Sequence, residues 1–349
     1  MLNICMVGHG MMGVWHSEAL QRVNEAQLHT VVGRQQSPAD ATAPEPTAGR
    51  KPPSTEAFAN TYGYKKWTTD LGEALDDPEV DVVIIAGPSE THAEMSLKSI
   101  TAGKHTLVEI PIAMNLEGAE AVVAAAREKG LFLGVSHPMR YRAERHDMVR
   151  RVAEGQEKIH SVQGRFFIHR LQNVGATGLQ RSWTDNILWH HTTHLVDIGL
   201  WTVAGGDMAT VEDRIRNVYA AYPAVEPRTG HPMELVLVVE THDDQTILCN
   251  GSYYAHNRIY DVLHVTDRDD YHVDELTSLL TTAHGERPIP TEQENAELIA
   301  PEFVEAVRDG REPFVPGWSV LPAMRILHRV QEEWDAKHGK QLIPGRPVT

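Results

Sequence analysis

The opening of the chain, Ile4-Cys5-Met6-Val7-Gly8-His9-Gly10-Met11-Met12-Gly13, restricts the possible folds more than any other stretch. A short apolar run leads into G-x-G-x-x-G, and an amphipathic segment follows as far as Val23. That order predicts strand, tight turn and helix, the setting in which a glycine triplet holds a dinucleotide. Gly8 permits the sharp turn, Gly10 lets the backbone approach a pyrophosphate, and Gly13 allows close helix–strand contact. The pyrophosphate would sit on the free N–H groups at the helix start. A glycine-rich turn without a ligand is the alternative; the second strand that follows favours the cofactor.

That second strand is expected at Ala26 to Val32, ahead of Gly33-Arg34-Gln35. An NAD-binding fold usually places Asp or Glu here, to hold the ribose 2′-hydroxyl. This chain has Arg34 and no acid nearby, and a guanidinium suits a 2′-phosphate. The expected cofactor is therefore NADP rather than NAD.

Ser37 to Ser54 holds five prolines and reads as a surface insertion. Helix and strand signals then alternate: helix at 55–62, a fully apolar strand at 81–85, helix at 91–101, strand at 105–108, helix at 116–129 and strand at 131–135. Alternation of this kind implies a doubly wound parallel sheet with ligands beyond the carboxyl ends of its strands. Past residue 137 longer alternating runs appear, at 161–171, 210–222, 234–241, 246–254 and 259–265, with helical stretches at 292–308 and 320–337. The expected architecture is α/β: an N-terminal Rossmann domain over 1–136, then an α+β domain over 137–349 with a largely antiparallel open sheet. Such a sheet has one face to cover, so a homodimer or homotetramer is expected.

The net charge of −16 argues against general affinity for nucleic acid or an anionic membrane. It leaves room for an anionic substrate where arginines cluster in a cleft. The two cysteines, Cys5 and Cys249, lie in separate apolar runs and read as buried thiols of a reducing cytoplasm. No apolar run reaches membrane-spanning length, and no signal peptide is visible, so a cytoplasmic protein is expected.

Chemistry concentrates in Arg181-Ser182-Trp183-Thr184-Asp185 and Trp189-His190-His191-Thr192-Thr193-His194-Leu195-Val196-Asp197. In a helix, His190, His194 and Asp197 share a face. An imidazole suits a general base near neutral pH, and a nearby carboxylate can orient it. The metalloprotease helix needs Glu directly after its first His, but His191 stands there, so no metal is expected. Packed core histidines remain the alternative.

The glycine fingerprint, Glu109-Ile110-Pro111, Arg140-Tyr141 and the His194-x-x-Asp197 helix together resemble the Gfo/Idh/MocA oxidoreductase family, over nearly the whole chain. The resemblance implies cofactor contacts from Gly8, Met11, Met12, Arg34, Pro88, His92 and Glu109, beside Gly10 and Gly13 of the fingerprint. It also implies a bend at Glu109-Ile110-Pro111 beneath the nicotinamide. Most members carry Glu-Lys-Pro, and here Ile110 replaces the lysine; His190 stands where members usually have Asp. With Arg181 to Asp185, these departures resemble a branch that uses NADP to oxidise the cyclic hemiacetal of a ring-cleavage semialdehyde to a pyrone dicarboxylate. His194 would take the hydroxyl proton, His190 would stand in for the lysine, and Asp197 would orient one ring. Two substrate carboxylates call for arginines: Arg140, Arg170 and Arg181 lie near predicted cleft edges, ahead of Arg142 and Arg165. Trp183 and Trp189 could wall a planar ring or pack in the core. A sugar or cyclitol dehydrogenase, and an NADP-binding regulator without redox chemistry, are the competing expectations.

Overall fold

The computed structural model describes residues 1–34, 54–173, 183, 186–289 and 297–339. Backbone contacts divide these into two compact units. One comprises Met1–Pro138 and residues 297–318; the other comprises residues 139–173, 183, 186–289 and 319–339. The proline-rich stretch 37–53, Arg181 and the tail from 341 lie outside the described residues.

The first unit runs β1 (Leu2–Val7), α1 (Met11–Leu20), β2 (Ala26–Val32), α2 (Thr55–Tyr62), β3 (Lys66–Thr68), α3 (Leu71–Asp76), β4 (Val82–Ile85), α4 (His92–Thr101), β5 (His105–Glu109), α5 (Leu116–Lys129) and β6 (Leu133–Ser136). Its strands form the expected parallel sheet in the order β3-β2-β1-β4-β5-β6. All four residues of β4 are fully buried, which is why its sequence is continuously apolar instead of alternating. β1 pairs with β2 on one side and β4 on the other. Strand order reverses there, and a doubly wound sheet offers its ligand crevice at such a reversal. The Ser54 hydroxyl, the Asp70 carboxylate and the Asn115 amide oxygen cap α2, α3 and α5 by accepting backbone N–H groups, each cap contributing about 1 kcal/mol. β3 and α3 gave no sequence signal: β3 is three residues long and two are exposed.

The second unit begins with α6 (Ala143–Ala153), β7 (Ile159–His169), a π-helical turn at Ile187–His191 and α7 (Thr192–Val203). β8 (Ile215–Ala220), β9 (Glu234–Thr241), β10 (Thr246–Ser252), β11 (Tyr254–Thr266), β12 (Asp270–Asp274), β13 (Leu279–Thr282) and β14 (Gly285–Pro288) follow. They build one sheet in the order β14-β13-β12-β11-β7-β10-β9-β8. Every pairing is antiparallel except β7 with β10, which α7, β8 and β9 separate in sequence. α7 lies flat on β7 and β10 because glycines let it approach. A Cβ at Gly199 would come within 2.4 Å of Ile247, and one at Gly164 within 2.9 Å of Leu195. Burial of Leu195, Val196, Ile198, Leu200, Trp201 and Val203 contributes about 1.5–3 kcal/mol per side chain, before entropy is counted. The face of β9 that carries Glu234 and Val236 is open, and Tyr219 on β8 is 54% exposed.

The chain then contributes α8 (Ile299–Asp309) to the first unit, against α1 and β5. Phe303 fills the space beside Gly134, where a Cβ would come within 2.6 Å of its ring. α9 (Leu321–His338) belongs to the second unit and packs beside α7. No helix among the described residues is long and apolar enough to cross a membrane.

Candidate active site

In the first unit the glycine turn has the shape its spacing predicts. Gly8 has φ of 102°, in the left-handed region that favours glycine, and a Cβ there would come within 2.5 Å of the Ala86 carbonyl oxygen. A Cβ at Gly13 would come within 2.3 Å of the Gly8 oxygen, whereas one at Gly10 would meet nothing within 4 Å. Gly10 precedes α1 without a side-chain cap, and the first turn carries no acidic residue. Orphan N–H groups, open space and a first turn without an acidic side chain fit a dinucleotide pyrophosphate. Met11 is exposed and Met12 half-buried at the same helix start, and Arg34 is exposed at the carboxyl end of β2. Pro88 is exposed after β4, at the start of a 3₁₀ turn.

Two residues expected to contact the cofactor are engaged elsewhere. His92 is 1% exposed, with Nδ1 2.7 Å from the Pro111 carbonyl and Nε2 3.0 Å from the Gly87 carbonyl. It ties the turn after β4 to the bend after β5 and offers no surface to a ligand. Glu109 is 7% exposed, and its Oε1 lies 2.6 Å from Nε2 of His16 on α1. The carboxylate thus anchors α1 to β5. His16 carried no sequence signal, because nothing in the spacing of α1 marks it as a partner for residue 109. The Ile110–Pro111 peptide is cis.

In the second unit, the Oδ1 of Asn186 accepts N–H groups of Leu188 and Trp189 at 3.0 and 3.1 Å and starts the π-helical turn. Every residue of α7 is buried except His194, and His190 in the preceding turn is likewise half-buried. Their ring centroids are 6.3 Å apart. These two imidazoles are what an otherwise buried helical segment presents at its surface. Asp197, on the same helix, is fully buried. Three residues on, at about 100° per residue, the side chain stands about 60° round the helix from His194. There Asp197 meets Arg140, whose Nε donates to Oδ2 at 2.7 Å and whose Nη2 donates to Oδ1.

That pairing corrects the expectation for Arg140. It is 1% exposed, with Nη1 donating to the Oγ of Ser319 at 3.0 Å and Nη2 to its carbonyl at 3.1 Å, so it is a core residue and not a cleft-edge clamp. Arg142 and Arg145 are buried as well and share Glu275; Arg165 pairs with Asp261 on the sheet. Arg170 is half-buried, its guanidinium carbon 5.6 Å from the Tyr253 ring centroid. Trp183 lies 6.2 Å from the same ring. Trp189 is 1% exposed and donates its indole N–H to Gln331, a packing role. Burial pushes the Cys5 thiol up to about 12 and raises that of Cys249 as well, so neither is a nucleophile. Tyr253 and Tyr260, which lies 6.3 Å from His194, had no motif to announce them.

Two family models match consecutively: "Oxidoreductase family, NAD-binding Rossmann fold" over residues 2–137 and "Bacterial oxidoreductases, C-terminal" over 144–258. The 4-carboxy-2-hydroxymuconate-6-semialdehyde dehydrogenase of Sphingobium sp. (strain NBRC 103272 / SYK-6) is 26% identical over 333 residues, covering 95% of this chain and 98% of that protein. The NAD-dependent scyllo-inositol 2-dehydrogenase of Bacillus subtilis (strain 168) is 30% identical over 155 residues, 44% of this chain and 41% of that protein. Among solved structures, levoglucosan dehydrogenase in complex with NADH aligns with TM-score 0.75 at 18% identity, covering 96% of this chain and 97% of that one. The two models cover residues 2–137 and 144–258, and the semialdehyde dehydrogenase aligns along 95% of the chain: the chain belongs to the Gfo/Idh/MocA family of NAD(P)-dependent oxidoreductases.

Proposed function

We propose that the protein oxidises the cyclic hemiacetal of 4-carboxy-2-hydroxymuconate-6-semialdehyde to 2-pyrone-4,6-dicarboxylate with NADP. The observation that carries this reading is the similarity to a dehydrogenase of that substrate along 98% of its length. NADP, when bound, supplies the hydride acceptor. His194 takes the proton from the hemiacetal hydroxyl as the C–H hydride leaves, and the carbon becomes the carbonyl of the lactone. His190 hydrogen-bonds the substrate from the neighbouring turn, in place of the lysine that Ile110 replaces. Arg170 binds a substrate carboxylate, with Arg181 as the second candidate and Trp183 beside the planar ring. A ring hemiacetal carries both the C–H and the O–H, so buried thiols cost the reaction nothing.

Arg34 reads the 2′-phosphate, so Arg34→Gln should raise KM for NADP about 100-fold while leaving NAD nearly unaffected, as expected for loss of a charge-assisted pair. The open face of the second unit's sheet supports a homodimer or homotetramer. A second reading, a sugar or cyclitol dehydrogenase, is favoured by the similarity to scyllo-inositol and levoglucosan dehydrogenases. A direct test presents the purified protein with the semialdehyde, levoglucosan and inositols, each with NADP and with NAD. NADPH formation with the semialdehyde supports the first reading; turnover of a polyol alone replaces it with the second.

A further inference from the structure

We infer that Tyr253 is the positioning residue of the substrate subsite, its ring carrying Arg170 and its hydroxyl holding His191. The inference rests on the carboxylate-binding role proposed for Arg170. Tyr253 itself is fixed on all sides. It is fully buried, its N–H donates to the Met233 carbonyl at 2.8 Å, and its own carbonyl accepts the Arg170 N–H at 2.8 Å. The guanidinium carbon of Arg170 then lies 5.6 Å from the ring centroid, while Asn173 accepts from Nη2. An aromatic face attracts a planar cation without consuming its N–H donors. The ring thereby holds the guanidinium by its plane, and an arginine fixed beforehand loses less freedom on binding.

The hydroxyl of Tyr253 does a second job. It lies 2.6 Å from Nδ1 of His191, whose ring stacks on Phe166 at 3.7 Å. His191 stands edge-on to His190 at 4.2 Å, and Phe166 meets Tyr260, which in turn faces His194. One buried tyrosine therefore touches both the residue that would grip the acid and the ring beside the imidazole pair. His191 serves in this way as a support, not as a base.

The experiment compares Tyr253→Phe, Tyr253→Leu, Arg170→Met and the double variant Tyr253→Leu/Arg170→Met. NADP affinity serves as the check that each protein is intact. Tyr253→Leu should raise KM for the semialdehyde about 10-fold, with a smaller fall in kcat, and adding Arg170→Met should raise it no further, the non-additivity expected of one shared contact. Tyr253→Phe keeps the ring and should hold KM near the native value while lowering kcat. A crystal structure of Tyr253→Leu should show the Arg170 guanidinium displaced. Multiplying KM effects in the double variant would overturn the inference, as would an undisplaced Arg170. If Tyr253→Leu does not fold, a 10-fold KM rise in Tyr253→Phe is the overturning result. Should the native enzyme fail to turn over the semialdehyde, the substrate reading falls, while the position of Arg170 in the leucine variant still decides whether Tyr253 holds it.

Discussion

Arg140 and Asp197 form a two-point ion pair sealed from water, each side chain 1% exposed. Their elements, the turn at Pro138–Tyr141 and α7, are thereby bolted together directly behind the helix turn that carries His194. Removal of one member leaves the other charge buried and uncompensated, at a cost of about 3–5 kcal/mol. Asp197→Asn and Arg140→Met should each lose that much stability in urea, and the double variant Arg140→Met/Asp197→Leu should recover part of it. If the asparagine variant unfolds like the native protein, the pair does not hold α7.

The glycine turn separates two kinds of damage. Gly13→Ala would drive a Cβ to within 2.3 Å of a backbone oxygen, whereas Gly10→Ala meets only open space. Gly13→Ala should therefore melt well below the native protein. Gly10→Ala should melt with the native protein yet bind NADP about 10-fold more weakly or worse, because its methyl stands where a pyrophosphate must approach. Calorimetric titration of the intact Gly10→Ala protein measures this, and native affinity would rule out that approach.

His194→Asn should lower kcat by a factor of about 100 to 10,000, the usual contribution of general-base catalysis, while NADP affinity stays native. Activity within a few-fold of native would remove His194 from the proton-transfer step and turn attention to His190.

Burial, reinforced by Arg145, lowers His264 from the ordinary 6.5 to about 3. The unfolded chain takes up this proton as pH falls through 6.5, while the folded protein resists until about 3. The unfolded state thus binds more protons throughout that window, and stability falls with pH. At 1.36 kcal/mol per unit, the loss between pH 6.5 and 4.5 is about 2–3 kcal/mol. His264→Leu removes the titration, so its stability should decline less than the native protein's over that interval in paired urea unfolding. Parallel declines would contradict the assignment.

The part of the candidate site that can be read from the sequence is marked by local features. Gly8, Gly10 and Gly13 act through backbone geometry within one turn, and His190 and His194 lie one helical turn apart, so spacing alone announces them. His92, Glu109, Arg140 and Asp197 show the opposite case, because their partners lie far away in sequence. Their types suit a ligand, but each has found a protein partner whose place in the sequence follows no period: Pro111, His16 and, for the last two, each other. Tyr253, at the bend between β10 and β11, carries no sequence signal because a tyrosine in an alternating apolar run looks like any other core position.

Most of the alternation of strands and helices in the first unit, its parallel sheet and the turn at its opening were determined by sequence, since apolar periodicity and glycine placement are properties of neighbouring residues. Which charged side chains face solvent and which neutralise one another was decided only by the tertiary structure. A carboxylate or guanidinium withdrawn from water must find an opposite charge or a hydrogen bond, and distant segments meet only once the chain has folded.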